Sequence, residues 1–160
     1  MTIHAYTDGG CRGNPGTGGW AFLVVNTATG QALERTGGEA QTTNNRMEMM
    51  AAIMALRSLR QPGMEVILHS DSQYLIKSVT EWMKGWKARG WKKSGGPLKN
   101  VDLLKELDAL VPQHRVQWRW VKGHDGNHGN ERVDQLANEA MDRIATGVDP
   151  AWEQRTVWKG

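Results

Sequence analysis

The sequence predicts an α/β protein in which a mixed β-sheet is covered by helices, and three observations carry the prediction. Three strand-like runs at the start of the chain are joined by short links, as in an antiparallel meander. Val66-Ile67-Leu68 is apolar on both faces, the pattern of a central strand covered on both sides. Two stripes at helical spacing supply the covering helices. One holds Met47, Met50, Ala51, Met54 and Ala55, the other Val133, Leu136, Ala137, Ala140, Met141 and Ile144.

The elements follow in order. Ile3 to about Asp8 reads as the first strand, and Cys11 to Gly19 as a glycine-rich turn. Trp20 to Val25 is a compact apolar strand, and Gln31 to about Ala40 a weaker third. Thr42-Thr43-Asn44-Asn45 offers capping side chains for the first helix, which Gln61-Pro62-Gly63 ends. Met64 to His69 is the fourth strand, and Ser70-Asp71-Ser72 caps a second helix through Tyr74, Leu75 and Val79. A short helix and a loop follow. Asn100 is expected to cap the next helix, with Val101, Leu104, Leu107 and Val111 on one face, and Pro112 closes it. Val116, Trp118 and Trp120 alternate along a fifth strand. After the loop Gly123 to Gly129 comes the last helix. The domain is expected to span residues 1–145. Residues 146–160 read as a polar tail, disordered unless Trp152 and Trp158 dock it.

At 160 residues the chain suits one domain with a real core. With 39% hydrophobic and 23% charged residues, whole-chain disorder is not expected. No apolar run approaches the ~20 residues of a membrane helix. A signal peptide is not expected either, since no basic segment precedes an apolar one at the N-terminus. Cys11 is the only cysteine, so a cytoplasmic protein without an internal disulfide is the simple reading. Net charge is only +3, but Lys84, Lys87, Arg89, Lys92, Lys93 and Lys99 fall in a stretch with no acid. That points to a polyanionic partner; a solvated basic loop is the plain alternative.

Four carboxylates occupy comparable places. Asp8 ends a strand, Glu48 lies early in the first long helix, Asp71 follows the fourth strand, and Asp134 lies near the start of the last helix. Each alone has a local explanation. Asp8 suits a turn, Glu48 a capping box with Asn45, Asp71 an N-cap, and Asp134 a favourable first-turn charge. Together they suggest a strand-end crevice, where such folds bind ligands. Hard oxygen ligands select Mg²⁺, with Mn²⁺ as the alternative. Two ions about 4 Å apart would activate a water and stabilise the leaving oxygen of a phosphodiester. His124, among glycines, suits proton transfer or product release. Zinc is not expected, because ligand spacing is missing.

In these motifs the chain resembles bacterial-type ribonuclease H, type 1. They are Thr7-Asp8-Gly9 with Gly13-Asn14-Pro15-Gly16; Thr42 to Glu48; Asp71-Ser72-Gln73-Tyr74; Trp86-Lys87 with Arg89-Gly90-Trp91; and Val121 to His124 with Asn130 to Asp134. They occur in family order and cover about Ile3 to Ile144. The resemblance implies a ribonuclease H-like fold with five strands, three antiparallel and then two parallel to the first. It implies an endonuclease that hydrolyses the RNA strand of RNA–DNA hybrids without marked sequence specificity, leaving 3′-hydroxyl and 5′-phosphate ends. Asp8, Glu48, Asp71 and Asp134 would hold one or two Mg²⁺ ions, and His124 would be the mobile histidine. Asn14, Asn44, Asn45 and Gln73 match contacts in the hybrid's minor groove, and Thr43 a DNA-phosphate pocket. Trp82, Lys84, Lys87, Arg89, Lys92 and Lys93 fall in a basic protrusion that grips the DNA strand. A monomer is expected. The loop Asp125 to Gly129, glycine-rich with an acid beside His124, departs from the family pattern.

The residue chemistry agrees. Hybrids of A-like form show a wide minor groove lined with 2′-hydroxyls, and Asn and Gln can both donate to and accept from it. Lys and Arg on phosphates add affinity without sequence preference. A non-catalytic hybrid binder would have no use for four carboxylates facing a polyanion. A transposase- or resolvase-like nuclease is disfavoured by the Asn-rich turns and the short chain.

Overall fold

The computed structural model describes residues 2–122 and 127–158. The elements are β1 (Thr2–Arg12), β2 (Gly16–Asn26), β3 (Gln31–Thr42), α1 (Asn44–Arg57), β4 (Glu65–Ser70), α2 (Gln73–Lys77), α3 (Met83–Ala88), α4 (Val101–Leu110), β5 (Arg115–Trp120), α5 (His128–Ala145) and β6 (Trp152–Val157). They build one sheet in the order β5-β4-β1-β2-β3-β6. β1, β2 and β3 pair antiparallel, while β4 pairs parallel with both β1 and β5. The expected mixed sheet is present, with six strands in place of five.

The sheet separates two cores. On one face Ile3, Ala5, Phe22, Val24, Val66 and Leu68 pack with α1 and with Leu104 and Leu107 of α4. On the other, Ala21, Leu23, Val25 and Ala32 pack with Val133, Leu136 and Ala137 of α5. Alternation along β2 sends successive side chains to opposite faces, so this central strand is buried almost throughout.

Two expectations need correction, and the tail takes one of its two alternatives. The glycine-rich segment is mostly strand: β1 runs to Arg12 and β2 begins at Gly16. The glycines serve close approach. A Cβ on Gly9 would lie 2.3 Å from the Met47 carbonyl carbon, and one on Gly19 2.6 Å from the Ala137 oxygen. Asn100 does not cap α4 with its side chain. It adopts a left-handed conformation (φ 62°). Its amide donates to the Tyr74 hydroxyl at 3.1 Å and its Oδ1 accepts from Arg46 at 3.4 Å.

The tail is docked, as Trp152 and Trp158 allowed. Residues Trp152–Val157 pair antiparallel with β3, from Thr36 opposite Trp152 to Gln31 opposite Val157. An open β3 edge offers unpaired backbone groups, which a strand satisfies. Trp152 and Trp158 pack on the α5-side core, and Arg143 lies over the Trp152 ring at 6.0 Å. Gln154 donates to Glu34 at 2.9 Å, and Arg35 pairs with Glu153. The segment is too polar to read as a strand from pattern alone; its partners come from distant sequence.

Between α2 and α3 the chain makes a π-helical turn, Ser78–Trp82, with the Ser78 hydroxyl buried. No described helix is long and apolar enough to cross a membrane.

Candidate active site

Parallel register brings the first two acids together. β1 and β4 pair up to Tyr6 opposite His69, so Asp8, two residues further along β1, comes beside Asp71, one residue past the end of β4. α1 adds Glu48 because its second turn lies against β1 at Gly9, where no side chain intervenes. Oxygens of Asp8, Glu48 and Asp71 all lie within 4.8 Å of one another. Asp134 arrives from α5, near enough for its carboxyl to act on Asp8, as the Asp71 carboxyl acts on Glu48.

The local explanations of the acids do not hold. Thr43 caps α1, its hydroxyl accepting from the Arg46 amide at 3.3 Å, so Glu48 lies beyond capping range. Ser72, not Asp71, caps α2, accepting from the Leu75 amide at 3.0 Å. Asn127 caps α5, so Asp134 falls in the second turn rather than the first.

Electrostatics make the cluster one that a cation would stabilise. Burial first, then the charges and close approach of Asp71 and Asp134, raise the Asp8 pKa from 3.8 to about 8, with the Gly9 amide opposing. Glu48 is pushed well above its ordinary value by burial and then by Asp8 and Asp71. Glu48 is only 5% exposed, and its Oε1 has no hydrogen-bond partner. A buried acceptor with no donor costs free energy comparable to a lost hydrogen bond or more. A divalent cation among these oxygens would relieve both the repulsion and the orphaned acceptor. The all-carboxylate donor set fits Mg²⁺ or Mn²⁺ and not a soft metal.

The expected nucleic-acid residues fall into two groups. Asn14, Asn44 and Asn45 are exposed, and the first two are joined: Asn14 Oδ1 accepts from the Asn44 amide at 3.2 Å. The β1–β2 turn and the start of α1 thus form one surface beside Thr43. Gln73 is exposed one residue past Ser72. The second group lies on and after α3. Trp82 is 40% exposed, tilted against Trp86 at 5.7 Å. Trp86 packs on the core. Lys84, Arg89, Lys92 and Lys93 are exposed. Lys87 is also exposed, but it pairs with Asp108 at 3.0 Å, so its charge is already partly answered. His124 lies outside the described residues. Sequence reading missed the part played by Gly9. The signal was its place next to Asp8 with no turn to explain it.

A mixed sheet with carboxylates gathered beside β1 and just past the end of β4 defines an α/β protein with an acidic group compatible with metal binding. The RNase H family model matches residues 1–142, and the chain belongs to that family. It is 53% identical over 144 residues to a ribonuclease H of Pseudomonas fluorescens (strain Pf0-1), covering 89% of this chain and 92% of that one. It is 55% identical over 142 residues to a ribonuclease H of Xanthomonas campestris pv. campestris (strain 8004), covering 88% and 93%. Among solved structures, LC9-RNase H1 superposes with a TM-score of 0.78 at 34% identity, over 88% of this chain and 72% of that one. LC11-RNase H1 in complex with RNA/DNA hybrid gives 0.63 at 29% identity, over 89% and 99%.

Proposed function

We propose that the chain hydrolyses the RNA strand of RNA–DNA hybrids at the Asp8–Glu48–Asp71–Asp134 centre, with Mg²⁺ as the working ion and 3′-hydroxyl and 5′-phosphate products. Endoribonuclease H activity follows from family membership at about half identity along most of the chain. The observation that carries the site assignment is the buried, unpartnered Glu48 oxygen beside two further carboxylates.

Bound cations supply activation of the attacking water and charge stabilisation at the leaving oxygen. The protein supplies placement. Asp8 stands on β1 and Asp71 one residue past the end of the neighbouring parallel β4, so the pairing of the two strands brings them together. Glu48 is held by burial against β1, and Asp134 closes the cluster from the other face of the sheet. Rigid, pre-placed carboxylates need little reorganisation on binding. His124 enters the proposal on its sequence context alone, as a proton carrier or an aid to product release.

Asn14, Asn44, Asn45 and Gln73 suit the minor groove of the hybrid. Reading 2′-hydroxyls there separates RNA from DNA without reading bases. Thr43 would take a DNA phosphate, and Trp82 with the α3 basic residues would track the DNA strand. The solved LC11-RNase H1 complex, with RNA/DNA hybrid bound, supports this substrate class. We read the protein as a cytoplasmic monomer.

A labelled hybrid incubated with Mg²⁺ tests the proposal, with duplex DNA and duplex RNA alongside. Cleavage confined to the RNA strand of the hybrid is expected, and an intact RNA strand would sink it. Asp8→Asn should bind hybrid and fail to cut.

A further inference from the structure

Trp120 ends β5 and is 48% exposed, an unusual place for a large indole. It sits in register with Ser70 of β4, and the next residue, Val121, donates its amide to the Ser70 carbonyl at 2.9 Å. Its indole Nε1–H donates to the Asp71 carbonyl oxygen at 3.3 Å. The indole therefore touches the backbone of a metal-site acid while leaving about half of its surface to solvent.

Beside the ring lies a shallow cavity of about 200 Å³, lined by Gln73, Ile76, Lys77, Glu81 and Trp120. Its wall is mostly apolar, with the exposed Lys77 at its rim. Gln73 belongs both to this cavity and to the groove-reading set. The cavity is thus continuous with the proposed hybrid surface.

Sheet order gives the cavity a place along the substrate. The crevice runs from the β1–β2 turn, with Asn14, to Asp8 on β1, Asp71 after β4 and Trp120 on β5. Trp120 is two strand spacings from β1, or roughly 10 Å, on the side away from Asn14. A strand whose phosphate lies at the acids reaches this ring within a few nucleotides. In a paired hybrid the bases are stacked inside, so the sugar is what the ring can meet.

We propose that Trp120 and Lys77 form an RNA-strand subsite flanking the cleaved phosphate: the indole packs on a ribose and Lys77 meets an adjoining phosphate. Glu81 on the same rim opposes phosphate and sets the limit of the subsite on that side. The inference rests on the hybrid-cleaving reading above and adds a substrate-binding role for two residues outside the acid cluster.

The test uses hybrids with a few ribonucleotides in an otherwise DNA strand, so that one position is cut. The strand is then shortened stepwise from either end. The whole chain is assayed as parent, Trp120→Phe, Trp120→Ala and Lys77→Gln, at several salt concentrations. Trp120→Ala should raise KM by about ten-fold, the scale of one lost aromatic contact, with kcat changed little. Trp120→Phe, which keeps a ring but lacks the Nε1–H, should stay near the parent. Shortening past the subsite should weaken the parent and leave Trp120→Ala unaffected. Lys77→Gln should raise KM and flatten its salt dependence; as an exposed substitution it carries the test if Trp120→Ala fails to fold. Parental KM in Trp120→Ala and Lys77→Gln overturns the subsite. So does a fall in kcat shared by Trp120→Phe and Trp120→Ala at constant KM, which reduces Trp120 to a prop for Asp71. If the parent cuts no hybrid, the functional reading falls and the subsite with it; if the parent cuts and the variants match it, only the subsite falls.

Discussion

Asp8→Asn should abolish catalysis and stabilise the metal-free protein. Asp8 is crowded by Asp71, Asp134 and Glu48, and its pKa is raised from 3.8 to about 8. Between those values the folded protein holds more protons than the unfolded chain. Stability is therefore greatest below about pH 4 for this group and falls as pH rises through about 8. At about pH 7 the part of the shift already expressed corresponds to about 4 kcal/mol. Asp71 is exposed, and water and salt screen the cluster, so the recoverable part is about 1–3 kcal/mol. The amide keeps the shape of the carboxylate and removes its charge. Thermal melts in EDTA, from acid to mildly alkaline pH, read the effect directly. The Asp8→Asn variant should melt higher than the parent near neutrality, and the gap should close towards about pH 4. Adding Mg²⁺ should raise the parent and narrow the gap, because an ion that binds only the folded state stabilises it. A variant less stable than the parent in EDTA at neutral pH, or a gap that widens on acidification, would refute the repulsion argument.

Four further outcomes are expected. Gly9→Ala places a Cβ against the Met47 and Glu48 backbone, so α1 must move. A loss of about 3 kcal/mol in urea melts, together with weakened Mg²⁺ binding, is expected. Glu34, only 1% exposed, accepts from Arg132 at 2.6 and 3.1 Å and from Gln154. Glu34→Ala leaves these donors unpaired and should cost about 2–4 kcal/mol by denaturant titration. In hybrid-binding titrations, Lys84→Met should weaken binding and its salt slope more than Lys87→Met, because Asp108 already answers Lys87. His69, stacked on Tyr6 at 4.4 Å and within 2.9 Å of His4, is held down at about 4, mainly by burial. The unfolded chain binds the extra proton first, so stability should fall as pH drops from about 6.5 to about 4. His69→Phe should flatten that limb of the melting curve.

Periodicity and local chemistry made most elements legible. The α1 and α5 stripes and the apolar β2 and β4 runs form structure because burying them removes apolar surface from water. The four acids stood out by their expected places at strand and helix ends, although Asp8 lies inside β1 and Glu48 and Asp134 lie in second helical turns. Other features rest on partners far away in sequence. β6 is polar, and the open β3 edge with the docking of Trp152 and Trp158 gives it order. Gly9, Gly18 and Gly19 resemble turn residues until the helices that press on them are known. The pairing of Lys87 with Asp108 crosses from α3 to α4 and has no local signature.

By itself the sequence determined the α/β class, the order of helices and strands from β1 to α5 and the family resemblance, and it singled out the acids. Those properties follow from side-chain pattern along the chain. Tertiary structure alone decided that Asp8 stands beside Asp71, through the parallel β1–β4 register, and that Glu48 is buried with an orphaned oxygen rather than used as a cap. It also decided that the last residues complete the sheet and that Trp120 meets the Asp71 backbone. The physical reason is common to all four. Burial and proximity between distant segments arise only when the sheet is assembled, and they turn four separate carboxylates into one charged site.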